Sequence, residues 1–166
     1  MLLRLPREDD VPAITDACQD PAIRRWTRVP SPYTREDASA WVALARIARD
    51  RGSALHLAIA RVEDDALIGS VGADLRRSSR LDAELGYWVA ERARGHGYAA
   101  RAVRLLTPWV RETLGLERLE IHVMTGNDPS GAVARSSGFE LSETRRIEFK
   151  GRLERFEVYV PSVLHS

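Results

Sequence analysis

Glu84-Leu85-Gly86-Tyr87-Trp88-Val89-Ala90-Glu91-Arg92-Ala93-Arg94-Gly95-His96-Gly97-Tyr98-Ala99-Ala100 passes from a strand-like run, through a loop with two glycines, into the start of a helix. Backbone N–H groups at a helix start lack intrahelical acceptors, and the helix dipole adds partial positive charge there. An anion such as a phosphate is their natural partner. Gly95 and Gly97 remove side chains where a ligand must approach the backbone. Two glycines alone fit an ordinary strand-to-helix turn just as well. A dinucleotide site is a further reading, because Gly95-x-Gly97-x-x-Ala100 formally fits G-x-G-x-x-G/A. That fingerprint follows its strand at once, whereas five residues, Ala90 to Arg94, separate Val89 from Gly95. The strand also carries Glu84, and the next strand closes on Val123-Met124 rather than on an acid. No Gly-Lys-Ser/Thr follows, which excludes a P-loop.

Working outward, Ala99 to Leu114 reads as a helix with Ala102, Val103, Leu106 and Val110 on one side. Pro108 inside it predicts a kink or an early bend. Leu119 to Met124 is the next strand, Pro129 to Ser137 a short helix stopped by Gly138. Phe139 to Phe149 and Leu153 to Val160 form a hairpin turning at Lys150-Gly151. Upstream lie strands at Leu55 to Val62, Leu67 to Leu75 and Leu81 to Ala90, the last two joined by a polar turn over 76–80. Leu2 to Leu5 is a short strand, and Asp9 or Asp10 is placed to cap a helix running through Cys18. Pro21, Pro30 and Pro32 mark a turn-rich stretch with Trp26 and Tyr33. Thr34 with Asp37 opens a helix that Gly52 ends. The order is mixed α/β, antiparallel strands leading into one strand–helix–strand crossover.

At 166 residues the chain suits one domain, 1–166, with a sizeable core. A hydrophobic fraction of 44% beside 30% charged residues is ordinary for a folded, soluble protein. Lys and Arg total 25 against 24 acids, so no global basic footprint marks a nucleic-acid partner. Lys150 is the only lysine, and the arginine usage pervades the chain as a composition bias. Cys18 is the only cysteine, which excludes an internal disulfide and a cysteine metal cluster. It falls in the apolar pattern of the first helix, as an inert buried thiol does. No apolar run is long enough to span a bilayer, and the first residues are too short for a signal-peptide core. A cytoplasmic protein without a membrane partner is the expectation. No His/Asp/Glu spacing marks a metal site.

Arg92-Ala93-Arg94-Gly95-His96-Gly97 resembles motif A of the GNAT acetyltransferases, Arg/Gln-x-x-Gly-x-Gly/Ala. Asn127-Asp128-Pro129-Ser130 leads through Val133-Ala134-Arg135 to Gly138-Phe139, similar to that family's second coenzyme-binding motif. Gly86-Tyr87-Trp88-Val89 and the closing hairpin resemble the branch that acetylates ribosomal-protein N-termini (the RimJ/RimL type). The resemblance covers nearly the whole chain. It implies the GNAT (acyl-CoA N-acyltransferase) fold: an α/β (α+β) architecture with a mixed, mostly antiparallel twisted sheet flanked by helices, its fourth and fifth strands splayed apart. It also implies transfer of acetyl from acetyl-CoA to a primary amine.

By the same resemblance, amides from about Arg94 through Gly95, His96, Gly97 and Tyr98 to Ala99 hold the pyrophosphate, with Arg92 opening the motif. Backbone near Val89, Ala90 and Glu91 pairs with the pantetheine arm, and the Asn127 amide contacts the coenzyme. A tyrosine that commonly protonates the thiolate is replaced here by Ala134, which points to Ser130 of Asn-x-x-Ser; the same hydroxyl also suits a helix cap. Trp26, Tyr33 and Trp88 belong to the acceptor wall, whereas Trp41, at helical spacing, reads as core. In the last hairpin Arg155 stands where the related branch often has an acid, although Glu154 is adjacent. Pairing of C-terminal strands is common in the family, so a homodimer is one expected assembly.

Glu84 is the candidate base. Strand alternation puts it on the face of Gly86 and Trp88, opposite Tyr87 and Val89. An acid in an otherwise apolar strand has its pKa raised by desolvation, toward a useful base; a solvent-facing carboxylate is the alternative. His56 and His122 read as structural, and His96 contributes its backbone. The leading acceptor is a protein or peptide N-terminus, with a small amine (a polyamine, aminoglycoside or amino-acid derivative) next. A non-catalytic acyl-CoA module and an NAD(P)-dependent oxidoreductase are the more distant alternatives.

Overall fold

The computed structural model describes residues 1–76 and 82–162. Seven strands form one sheet in the order β1-β2-β3-β4-β5-β7-β6. They are β1 (Leu2–Arg4), β2 (Ala54–Ala60), β3 (Leu67–Leu75), β4 (Ala83–Val89), β5 (Leu119–Met124), β6 (Phe139–Phe149) and β7 (Arg152–Pro161). Every neighbouring pair is antiparallel except β4 and β5. Five helices cover it: α1 (Val11–Ala17), α2 (Pro21–Trp26), α3 (Arg35–Asp50), α4 (Tyr98–Leu114) and α5 (Asp128–Ser136). The turn expected over 76–80 falls, beyond Arg76, outside the described residues, as does Leu81.

Period-two alternation sends the two faces of the sheet into separate cores. On one side Leu85, Ile121, Val71 and Leu119 meet Ala102, Val103, Leu106 and Val110 of α4. On the other, Ala58 and Leu67 meet Val11, Ile14 and Val42 of α1 and α3. Each such fully buried aliphatic side chain contributes about 1.5–3 kcal/mol relative to exposure. Tyr33 and Cys18 also belong to this second core, and burial pushes the Cys18 thiol up to about 11.

Local chemistry sets most boundaries. Thr34 and Asp37 form a reciprocal capping box on α3. Lys150 and Gly151 both take positive φ, 51° and 77°, the two-residue turn that matches hairpin twist. Two expectations need correction. The stretch from Pro21 is helical as far as Trp26, because Asp20 accepts from the Ala22 N–H at 2.8 Å and Pro21 starts the first turn. Asp10 does not cap α1; its carboxylate takes the Arg7 N–H and a two-pronged contact from Arg4. Helix α4 continues through the exposed Pro108 to Leu114.

A small clamp fixes where β4 meets β5. The Asp82 carboxylate accepts from the N–H groups of Glu117 at 3.0 Å and Arg118 at 2.9 Å, and also pairs with the Arg118 guanidinium. Arg118 holds this carboxyl down to about 2. A carboxylate whose folded pKa is depressed stabilises fully above its unfolded value, near 4, and loses that contribution as pH falls through about 2. Asp82→Asn is therefore expected to cost about 1 kcal/mol at neutral pH. Urea unfolding of both proteins between pH 7 and pH 2 checks this: the gap is expected to narrow below about pH 4, and a gap that widens on acidification contradicts the clamp.

Candidate active site

Strands β4 and β5 pair only from Ala83, Glu84 and Leu85 to Leu119, Glu120 and Ile121. Beyond that point β4 stays on β3 up to Val89, while β5 follows β7. The two strands part into a wedge. The Ala90 N–H donates to the Ile68 carbonyl at 2.9 Å, toward β3. Alternation therefore turns the backbone groups of Val89 and Tyr87 toward the wedge. The Val89 carbonyl accepts from Arg94 Nε at 3.1 Å.

The glycine loop stands at the mouth of this wedge. Gly95 and Gly97 hold φ of 79° and 71°, and an added Cβ on either meets no atom within 4 Å. Conformation rather than space requires glycine there. The first α4 hydrogen bond runs from the Arg101 N–H to the Gly97 carbonyl. Among the described residues, the N–H groups from Gly95 to Ala100 have no protein acceptor. A row of free donors at the start of a 17-residue helix is an anion cradle. Arg92 and Arg94 do not point into it. They pair with Asp16 and Asp20, tying the loop to α1 and to the cap of α2. The His96 ring stacks on Tyr98 at 5.7 Å, and its Nδ1 lies 2.8 Å from the Arg94 carbonyl.

Ionisable groups line one face of the closed end of the wedge. Glu84 accepts from Arg76 at 2.8 Å and lies 3.4 Å from His122 Nδ1. His122 Nε2 is 2.6 Å from Glu120, which also takes both prongs of Arg145 at 3.1 and 3.2 Å. The side chains of His122, Glu120 and Glu84 are 9%, 11% and 23% exposed. Burial pushes the Glu120 carboxyl up, but His122 and Arg145 outweigh it and hold it below its ordinary range. Glu84 is thus not isolated in apolar surroundings: it stands in a chain of alternating charges that runs from Arg76 through His122 and Glu120 to Arg145. His122, read from sequence as structural, sits between two carboxylates.

The opposite face carries hydroxyls. Tyr87 donates to the Ser130 carbonyl at 2.9 Å and accepts from Ser130 Oγ at 3.1 Å. Burial pushes the Tyr87 phenol up to about 12. Ser130 is not the cap of α5; Asn127 is, through its side-chain oxygen on the Ser130 N–H at 3.4 Å. That leaves the Asn127 NH₂ without a cap role, while the Ser130 hydroxyl is engaged with Tyr87. No strand or helix pattern singled out Tyr87, because its partner lies 43 residues away.

On the face that carries Glu84, a cavity of about 620 Å³ opens between α2 and the β6–β7 hairpin, reaching Met124 and Thr125 at the end of β5. Trp26 lines it, with Arg25 stacked over its ring at 4.3 Å. Tyr33 does not, being 7% exposed among core residues. Trp88 packs half-buried against that same core, and Trp41 lies beside it, 6.2 Å from the His56 ring.

A family model described as the acetyltransferase (GNAT) domain matches residues 1–140. The chain belongs to this acetyltransferase family. As a member it is an acetyl-CoA-dependent acetyltransferase of the GNAT fold. Along 99% of its length it is 26% identical to an uncharacterized N-acetyltransferase, p20, of Bacillus licheniformis, covering 92% of that protein. Its fold is similar to that of Mycobacterium smegmatis RimJ in complex with CoA-disulfide: TM-score 0.83, 21% identity, 99% of this chain and 83% of that one. It is equally similar to the microcin C7 self-immunity acetyltransferase MccE in complex with acetyl-CoA and AMP: TM-score 0.83, 19% identity, 97% and 91% covered.

In this acetyltransferase the loop geometry makes a direct prediction. Alanine at Gly97 must hold a left-handed φ at a cost of about 1–2 kcal/mol or relax and turn the free N–H groups away. Gly97→Ala is expected to weaken coenzyme A binding about tenfold by calorimetric titration. Unchanged affinity contradicts the cradle.

Proposed function

We propose that this enzyme transfers acetyl from acetyl-CoA to the primary amine of a peptide or protein N-terminus. One observation carries the reading: the wedge between β4 and β5 has free backbone edges, a charged relay on one face and a hydroxyl pair on the other. A cavity open to solvent adjoins the charged face. The likeness to RimJ supports a protein acceptor. A small amine is the second reading, favoured by the likeness to MccE, whose complex holds AMP. A cytoplasmic setting accompanies either, in keeping with the lone thiol of Cys18, and a homodimer through the C-terminal strands is the assembly it allows.

Acetyl-CoA brings the thioester; the chain does the rest. N–H groups from Gly95 to Ala99 hold the pyrophosphate, and the Asn127 amide steadies the arm. Tyr87 and Val89 main-chain groups pair with the pantetheine amides as an added strand would. The Val89 carbonyl exchanges its Arg94 partner for that contact. Seated this way, the thioester lies near the point where the strands part. The amine approaches from the cavity, and Glu84 takes its proton, directly or through water, with His122 and Glu120 behind it. The new C–N bond forms as the C–S bond breaks. The departing thiolate takes the Ser130 proton as Ser130 Oγ turns from Tyr87 to the sulfur. The Tyr87 phenol, 3.1 Å away, swings its proton from the Ser130 carbonyl to that oxygen, and solvent returns a proton to Tyr87 before the next turnover.

Glu84→Gln is expected to slow turnover by roughly 10²–10⁴-fold with coenzyme A affinity kept. An effect of only a few-fold, with binding intact, removes Glu84 from the mechanism. Ser130→Ala and Tyr87→Phe should each lower kcat by about 10²-fold and leave the KM for acetyl-CoA nearly unchanged. Because they serve one proton path, the double variant is expected to lose little more than either single one. Losses that multiply place the two hydroxyls in separate roles. Thiol release, followed with N-terminal peptides beside small amines, tests the acceptor; peptides that stay unmodified while small amines react overturn the protein-acceptor reading.

A further inference from the structure

We infer that the acceptor is anionic: its amine is followed within a residue or two by carboxylate groups that the cavity wall recognises. This deepens the proposed function and rests on its reading of the cavity as the acceptor entrance.

The observation is a cluster of cations gathered on one cavity wall. Several cations elsewhere pair with acids, among them Arg4 with Asp10 and Asp65, Arg61 with Asp64, Arg92 with Asp16 and Arg94 with Asp20. Others, such as Arg101 and Arg104, have no carboxylate partner among the described residues. Lining the cavity are Arg25, Lys150, Arg152 and Arg155 with one acid, Glu154. Among the described residues none of those four cations has a carboxylate partner. Arg25 lies over Trp26, and Lys150 donates to the Arg24 carbonyl. The formal charge of the wall is +4 − 1 = +3, whereas the whole chain carries +1.

Backbone geometry concentrates these charges. The Lys150–Gly151 turn and the first residues of β7 bring Lys150 and Arg152 to one rim, and the last turn of α2 brings Arg25 to the other. Within the hairpin, Arg155 stands directly opposite Arg146. Like charges in facing positions are unfavourable by themselves. They become favourable when an anion is shared, and guanidinium groups are the donors best shaped for carboxylates. The wall ends at Met124 and Thr125, and the Thr125 N–H is held by the Arg155 carbonyl at 2.9 Å. An acidic segment resting on this wall therefore lies next to the parted strands, with its amine directed to the Glu84 side. Attraction at the rim also speeds encounter, an effect that salt suppresses.

The test compares short peptides sharing one N-terminal residue and carrying acidic, neutral or basic residues behind it, with aspartate and a polyamine as small-amine arms. At saturating acetyl-CoA, kcat/KM is expected to be at least about tenfold higher for the acidic peptide than for the neutral one, and lowest for the basic one. The gap should shrink as salt rises. Replacing the wall charges, Arg152→Glu with Arg155→Glu, should invert the order, so that the basic peptide becomes the preferred one. A gain of activity toward that peptide is not produced by misfolding. Equal use of the three peptides, or a preference for the basic one by the unaltered enzyme, overturns the inference while leaving the peptide-acceptor reading standing. If no peptide reacts, the peptide reading fails on its own account. The charge claim is then decided by the small amines, with aspartate over polyamine upholding it and the reverse overturning it.

Discussion

The parting of β4 from β5 is the constraint on which the site depends. A parallel pair that stops after Leu85 and Ile121 leaves main-chain donors and acceptors of Tyr87 and Val89 without a strand partner. In a closed sheet such groups satisfy one another; left open, they need a ligand or water. The wedge is held open from both sides. On one flank β4 is pinned to β3 up to Val89, and on the other β5 is pinned to β7 up to Met124. Asp82 fixes the closed end by bonding the chain just before β5. Below that clamp the register cannot slip, and above it the strands have other partners.

The chemistry follows from alternation across this gap. Because neighbouring residues of β4 point to opposite faces, Glu84 joins the charged row of His122, Glu120 and Arg145, while Tyr87 meets Ser130 on the other face. One strand thus carries a carboxylate on the cavity side and a phenol that meets Ser130 of α5. The glycine loop lies at the far end of the same strand, so in the proposed mechanism the coenzyme arm and the reacting groups share a single scaffold. Arg92 and Arg94 tie that loop to α1 and α2, and through α2 to the cavity wall at Arg25 and Trp26.

Much of this was legible in the sequence where the signal was local. Turn chemistry at Lys150-Gly151, the Thr34–Asp37 box and the period of α4 gave those elements close to their observed bounds. Strands β3 and β5 fell at the residues expected. Helix α2 was hidden by its prolines, although Asp20-Pro21 is itself a helix start when the aspartate caps. Tyr33, among prolines, read as part of the acceptor wall because nothing local shows that it packs into the core beside α1. The environment of Glu84 and the Tyr87–Ser130 contact depend on which strands become neighbours, and residues 36 or 43 positions apart meet only once the crossover has formed. Charge on the cavity wall was visible as composition but not as a cluster, since Arg25 and Arg155 come from opposite ends of the chain.

Hydrogen exchange of the backbone amides with and without coenzyme A tests the central claim most directly. Binding across the wedge predicts slowed exchange at Tyr87 and Val89 together with the amides from Gly95 to Ala100, and no such effect from NAD. Slowed exchange confined to the glycine loop, with Tyr87 and Val89 unchanged, contradicts the claim that the parted strands receive the coenzyme arm.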